Sequence, residues 1–266
     1  PLEDTAPLED TAPLEDTGVL QDTGPPEDMT TPDDAETPAA TEDTLVPQDS
    51  EPPDTATAAA CGPTGNFVLG SSLANVTSPY EVTAADLDHD GDDDLAVVSD
   101  SVDLLFVTLA GEGGTFAAAV PYETAGQPSH ILAVDIDGDT HPDLLTANYA
   151  GKSLGFFKGK GDGTFEDEVQ YSMGGSPNTL TALDLNGDGF TDVASSNGGA
   201  TASVLLQDPA GGFLEPEVYD IDQGPYGIVA IDANGDPYPE LLVPSYNDAV
   251  IDILFGQGAG TFVFVG

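Results

Sequence analysis

The sequence predicts an all-β protein made of repeated four-stranded propeller blades, preceded by an acidic tail without fixed structure. Three observations predict it. A phenylalanine recurs at Phe67, Phe116, Phe165, Phe213 and Phe262, at intervals of 49, 49, 48 and 49 residues. Twelve residues after each of the first four comes a proline (Pro79, Pro128, Pro177, Pro225), and nineteen after comes an aspartate (Asp86, Asp135, Asp184, Asp232). Between these landmarks, short apolar runs alternate with turns rich in Gly, Asp and Pro, and no apolar period of 3.6 residues is sustained. A period near 50 built from short strands is the pattern of a propeller or a similar repeat array.

Residues 1–60 contain 17 Asp+Glu, 10 Pro and 11 Thr, with no Lys, Arg, His or aromatic residue. Pro1-Leu2-Glu3-Asp4-Thr5-Ala6 recurs as 7–12 and, ending in Gly18, as 13–18. Such a segment repels itself and lacks the apolar surface to offset its ordering entropy, so it reads as an extended, disordered spacer. Cys61, alone in the chain, stands at the seam and excludes internal disulfides and cysteine-rich zinc sites. The repeat domain spans 61–266, with repeats near 67–115, 116–164, 165–212 and 213–261.

In the second repeat, Phe116–Tyr122, His130–Val134, Asp143–Ala147 and Ser153–Phe157 read as four strands. Four such strands make one blade. After four full repeats, Phe262–Val265 reads as the first strand of a fifth. The chain is therefore expected to be an open arc of a larger ring, cut at both ends; the alternative is an unusually small closure.

Charge narrows the function. The chain carries 49 Asp+Glu against 3 Lys+Arg, a formal net charge of −46, with Lys152, Lys158 and Lys160 its only cations of that kind. It cannot neutralise a phosphate backbone or an anionic bilayer, so nucleic acid and membrane surfaces are excluded as partners. No run of about 18 apolar residues is present, so no membrane insertion is expected. Carboxylates in this number suit hard cations.

Their spacing supports that. After the second strand of each repeat comes a nine-residue loop. Loop 1 is Asp86-Leu87-Asp88-His89-Asp90-Gly91-Asp92-Asp93-Asp94, and loop 2 is Asp135-Ile136-Asp137-Gly138-Asp139-Thr140-His141-Pro142-Asp143. Loop 3 is Asp184-Leu185-Asn186-Gly187-Asp188-Gly189-Phe190-Thr191-Asp192, and loop 4 is Asp232-Ala233-Asn234-Gly235-Asp236-Pro237-Tyr238-Pro239-Glu240. Side-chain oxygens stand at positions 1, 3, 5 and 9. Position 7 (Asp92, His141, Phe190, Tyr238) is unrestricted and offers its backbone carbonyl. This layout suits Ca2+, about one per loop and up to four, better than the small octahedron of Mg2+. An EF-hand is excluded: its twelfth-position Glu is replaced by Val97, Thr146, Ser195 and Val243, and a strand follows each loop.

On these loops and blades the chain resembles the FG-GAP repeats, also described as VCBS-type repeats. These are the calcium-binding blades of integrin α-subunit propellers and of many bacterial surface and secreted proteins. The resemblance covers about residues 62–266. It implies calcium ligands on the four loops and a ring of seven blades, of which this chain would hold part. His89 stands where the other loops have glycine, and Pro237 and Glu240 depart at positions 6 and 9, so loop 4 is the least regular.

No Ser/His/Asp or Cys/His arrangement stands out. The chain is expected to be a non-catalytic, calcium-binding adhesion module, extracellular or at the cell surface, with a protein or glycan ligand. The alternative is an accessory propeller of a secreted hydrolase or lyase. Strand alternation puts the acidic loops on one face with the Gly-rich connectors. The opposite face carries Tyr80, Asn148, Tyr149, Lys152, Asn178, Tyr226, Tyr246 and Asn247 and is expected to receive the ligand, as the resemblance to integrin-like propellers also implies.

Overall fold

The computed structural model describes residues 72, 73 and 75–264. The acidic tail, Cys61 and the first landmark, Phe67, lie outside them, as do residues 265 and 266. The described chain forms four four-stranded antiparallel sheets and no helix. The first contains β1 (Glu81–Ala85), β2 (Asp94–Ser99) and β3 (Leu104–Thr108); after a small ladder of β4 (Ala110–Gly111) with β5 (Thr115–Phe116), it ends with β6 (Val120–Glu123). The second is β7 (Pro128–Val134), β8 (Asp143–Asn148), β9 (Ser153–Phe157) and β10 (Val169–Ser172). The third is β11 (Ser176–Leu183), β12 (Asp192–Gly198), β13 (Thr201–Leu205) and β14 (Glu217–Asp220). The fourth is β15 (Val229–Ile231), β16 (Glu240–Ser245), β17 (Val250–Gly256) and β18 (Phe262–Phe264). The first strands β1, β7, β11 and β15 touch from sheet to sheet, as the inner strands of propeller blades do.

The blade is offset from the sequence repeat by one strand. The strand after each landmark phenylalanine pairs backward, with the strand before the Gly-rich turn: β6 with β3, β10 with β9, β14 with β13. The cause is local. Gly113 and Gly114, like Gly161 and Gly163, adopt left-handed φ and fold the connector into a tight hairpin, which presents the next strand to its predecessor. The same holds at the C-terminal end. Phe262–Phe264 pairs with β17 through Gly256↔Phe262 and Leu254↔Phe264, so it completes the fourth sheet rather than opening a fifth.

Apolar side chains of adjacent sheets form three cores. Between the first and second sheets lie Ala96, Val98, Leu105, Val107, Ile131, Leu144 and Phe157, with Phe165 from the connector. Phe213 and Phe262 occupy the same place in the next two cores. Three landmark rings meet a tyrosine of an outer strand edge-on: Tyr122 with Phe165, Tyr171 with Phe213 and Tyr219 with Phe262, at centroid separations of 5.9, 5.2 and 5.9 Å. The hydroxyls of Tyr122 and Tyr219 accept the Phe165 and Phe262 N–H groups at 3.3 and 3.2 Å. The phenylalanine repeat is therefore a seam between blades. The fourth sheet covers one of its faces, while Ile251, Ile253 and Phe255 on the other are exposed.

His130 ties three inner strands together. Its Nδ1 accepts the Leu180 N–H at 3.4 Å and its Nε2 lies 3.5 Å from Glu81, whose other oxygen accepts the Ile131 N–H at 3.1 Å. Burial pulls the ring down to about 4, so it is neutral at pH 7 and its contact with Glu81 is not an ion pair. An unfolded histidine takes up its proton near pH 6.5. Between about 6.5 and 4 the unfolded chain therefore binds more protons, and stability falls as pH drops. We predict that urea denaturation shows about 3 kcal/mol of such loss across this window in excess of a His130→Asn variant. Parallel pH profiles for the two proteins would contradict it.

Candidate functional site

Each acidic loop joins an inner strand to the second strand of its sheet: β1 to β2, β7 to β8, β11 to β12 and β15 to β16. Within the loop, odd-numbered side chains accept the backbone N–H two residues ahead. In loop 2, Asp137 accepts from Asp139 at 3.2 Å and Asp139 from His141 at 2.9 Å. Asp88 and Asp90, Asn186 and Asp188, and Asn234 and Asp236 repeat the two steps. This staircase of Asx turns curls the odd positions inward. At position 1 the carboxylate spans the loop. Asp135 accepts from Gly138 and Thr140 at 2.8 and 2.9 Å, and Asp184 from Gly187 and Gly189 at 2.7 and 2.9 Å. Asp86 likewise takes the position-6 N–H of Gly91 at 3.2 Å.

Position 9 has a function that spacing did not reveal. Asp94, Asp143 and Asp192 are fully buried without a cationic partner. One oxygen of each accepts the position-2 N–H, from Leu87, Ile136 and Leu185, at 2.9, 2.9 and 3.0 Å. The other accepts from the connector beyond the next strand, at Ala110, Gly159 and Gln207, at 2.7, 2.8 and 2.8 Å. Burial pushes Asp143 and Asp192 up to about 6 despite these donors, and repulsion from the loop's other aspartates adds to the rise.

Carboxylate oxygens of Asp86, Asp88 and Asp94 lie within 4.8 Å of one another, and so do those of Asp135, Asp137 and Asp143. Three hard oxygen donors at this spacing fit a hard divalent cation. Asp90 and Asp139 stand outside these groups, as do the side chains of Asp92 and His141. In loops 3 and 4 the position-3 residue is an amide, and Asn186 and Asn234 donate to Asp188 and Asp236 at 2.9 and 2.7 Å. Phe190 and Tyr238 bring rings to position 7, and Tyr238 packs over Gly258.

Loop 4 departs for a physical reason. Pro237 has no N–H for the carboxylate of Asp232, which keeps only its bond from Gly235, at 2.6 Å. Glu240 is buried like the aspartates but reaches back to Ala233 N–H and the Asn234 amide, both at 2.7 Å, rather than to the connector. Ala233 is exposed where Leu87, Ile136 and Leu185 anchor the other loops in the cores. Loop 2 has its own peculiarity. The Lys158 ammonium bonds Asp137 and lies 3.0 Å from Asp139. Asp139 is held below the usual carboxylate range by the His141 N–H and by Lys158, and Lys158 is held well above the usual lysine range.

The face away from the loops carries a cleft of about 390 Å³ reached by all four sheets. Tyr80, Tyr149 and Tyr226 line it with Gln127, Ser129 and Asn178, and Asp100 is the one charged residue in its wall. Tyr149 lies against Gly198, where an added Cβ would come within 2.8 Å of its ring. Asn178 donates to the Pro225 carbonyl at 2.8 Å, and Ser129 to the Asn178 carbonyl at 2.9 Å, which fixes the floor. Four of the eight residues expected on this face thus converge. Asn148 does not: it is buried and bonded to Ser153 and Glu168. Lys152, Tyr246 and Asn247 lie outside the cleft wall. Gln127 and Ser129 were missed, although they flank the landmark Pro128.

A family model, the FG-GAP-like repeat, matches residues 86–146, 135–195 and 184–243, together more than half of the chain. The chain belongs to the FG-GAP-like repeat family. Each match to the FG-GAP-like repeat begins on the position-1 aspartate of a loop. No curated protein matches the sequence. Among solved structures, a lectin from Agrocybe aegerita specific for non-reducing terminal N-acetylglucosamine is 14% identical with a TM-score of 0.48, over 70% of this chain and 52% of the lectin. A protein from Lactobacillus plantarum is 19% identical with a TM-score of 0.49, over 73% of this chain and 57% of its own. The V. cholerae biofilm matrix protein Bap1 is 21% identical with a TM-score of 0.43, over 68% and 27%. The chain thus spans little more than half the length of these proteins, or less.

In this FG-GAP-like chain, Lys158 competes with any cation for the carboxylates of loop 2. We predict that Lys158→Gln tightens cation binding at that loop by about tenfold at low ionic strength, and less at high salt. Calcium titration followed by NMR of the loop amides checks this. Unchanged affinity at loop 2 would show that the lysine does not compete.

Proposed function

We propose that the chain is a non-catalytic, extracellular binding module in which calcium stabilises the acidic loops and the opposite cleft receives a glycan or protein ligand. The cleft is the observation that carries this reading. Rings with hydroxyl tips, two amides and a hydroxyl suit polar ligands, which they can stack on and hydrogen-bond. Its wall includes a single charge, so an uncharged ligand surface fits best. In support of calcium, loops 1 and 2 gather three carboxylates each, which repel one another without a cation. No helix among the described residues is long and apolar enough to cross a membrane. The histidines are engaged elsewhere than the cleft: His130 is tied to inner strands, and His89 and His141 lie within loops 1 and 2.

Two outcomes follow. Calcium added to chelator-treated protein should raise the melting temperature, with about 2.7 kcal/mol for one site at a hundredfold its dissociation constant. No rise at millimolar calcium would remove calcium from the proposal. In a screen against glycans and matrix proteins, Tyr149→Ala and Tyr226→Ala should abolish any binding found, while Tyr246→Ala leaves it intact. Binding that ignores both cleft tyrosines would place the ligand elsewhere.

A further inference from the structure

The four loops share one spacing, and loops 1 and 2 each place a histidine within it, at unrelated positions. Position 4 is Gly138, Gly187 and Gly235 in loops 2 to 4, each with left-handed φ, but loop 1 puts His89 there at φ 63°. A non-glycine residue at this φ is disfavoured, and nothing in the loop's backbone calls for one. Position 7 is unrestricted: Asp92 in loop 1, the rings of Phe190 and Tyr238 in loops 3 and 4, and His141 in loop 2, so a ring there does not require nitrogen. His141 packs over Gly161 as Tyr238 packs over Gly258. The two histidines meet across the blade boundary. His89 Nε2 lies 2.8 Å from His141 Nδ1, with ring centroids 4.9 Å apart and planes inclined by 52°, so the rings meet through their nitrogens rather than by stacking.

We propose that His89 and His141 form a transition-metal site, for a divalent ion of the zinc type, that bridges loops 1 and 2 and is separate from the carboxylate groups. Imidazole nitrogen suits such ions, whereas the all-oxygen loops suit harder ones. Two nitrogens each about 2.0–2.1 Å from one zinc ion stand about 2.9–3.4 Å apart for angles between a right angle and a tetrahedral one, so the observed pair needs to open by only a few tenths of an ångström. Each neutral imidazole carries one ring proton. Placed on His89 Nδ1 and His141 Nε2, these protons leave a lone pair on both facing nitrogens, so the ion replaces the shared hydrogen bond without net proton release. Water completes the coordination. The ion would link the first two blades at their loop face.

The test uses the full chain saturated with calcium, so that the loops do not compete for zinc. Zn2+ titration by calorimetry should show one more equivalent for the wild type than for His89→Gly or His141→Phe. Each substitution installs a residue that a sister loop has at the same position, and an unchanged melting temperature in calcium alone will confirm that both variants fold. The double variant should lose no more than either single one. In imidazole ¹⁵N NMR, the His89 and His141 signals should move together during that equivalent while His130 stays fixed. Equal zinc stoichiometry in all the proteins, or unmoved His89 and His141 signals, would overturn the proposal.

Discussion

The fold depends on a carboxylate buried without a cation. Asp94, Asp143 and Asp192 are each satisfied by two backbone N–H groups, one from the start of the acidic loop and one from the connector that leads to the outer strand. An unpaired buried charge is costly, so these bonds fix the backbone on both sides of it. The loop is thereby held against the hairpin that closes its own blade. The Phe–Tyr seam and the Asx staircase are built on that anchor. A cation near the loop would act on a framework that is already shaped.

The two ends of the blades are chemically distinct. At one end the odd loop positions gather negative charge, relieved in loop 2 by Lys158. At the other end the inner strands begin and the second strands finish, and the side chains there are tyrosine, amide and hydroxyl around a nearly uncharged cleft. The strand alternation that sends loops to opposite ends also separates what each end can bind. The first has the chemistry to suit hard cations, the second to suit polar neutral surfaces.

Much of this was legible in the sequence because the repeat gives four readings of each position. Among the described residues, the nine-residue loops and the three strands read over His130–Val134, Asp143–Ala147 and Ser153–Phe157 are found where the spacing puts them, whereas the strand read over Phe116–Tyr122 is split between Thr115–Phe116 and Val120–Glu123. Three features were not legible, each for a physical reason. Strand partnership is decided by how tightly the glycine connector turns, so Val120–Glu123 and Phe262–Phe264 belong to the sheet before them. Asp143 looks like any ligand aspartate, since its backbone partners Ile136 and Gly159 are set by folding rather than by residue type. The approach of His89 to His141 joins residues 52 apart and appears in no local pattern.

The one-strand offset between repeat and blade bears on how such a chain can change length. The repeats that start at Phe116, Phe165 and Phe213 each complete the sheet before them and begin the next, so these joints are spliced like overlapping planks. Insertion or loss of one 49-residue unit, cut at any equivalent point in the period, restores whole sheets at the junction and leaves no internal strand edge unpaired. A cut made at a repeat boundary such as Phe165, by contrast, strips one sheet of its outer strand, whereas a cut at residues 124–127 separates intact sheets. Fragments of this protein should therefore be divided by sheets and not by the period read from the sequence.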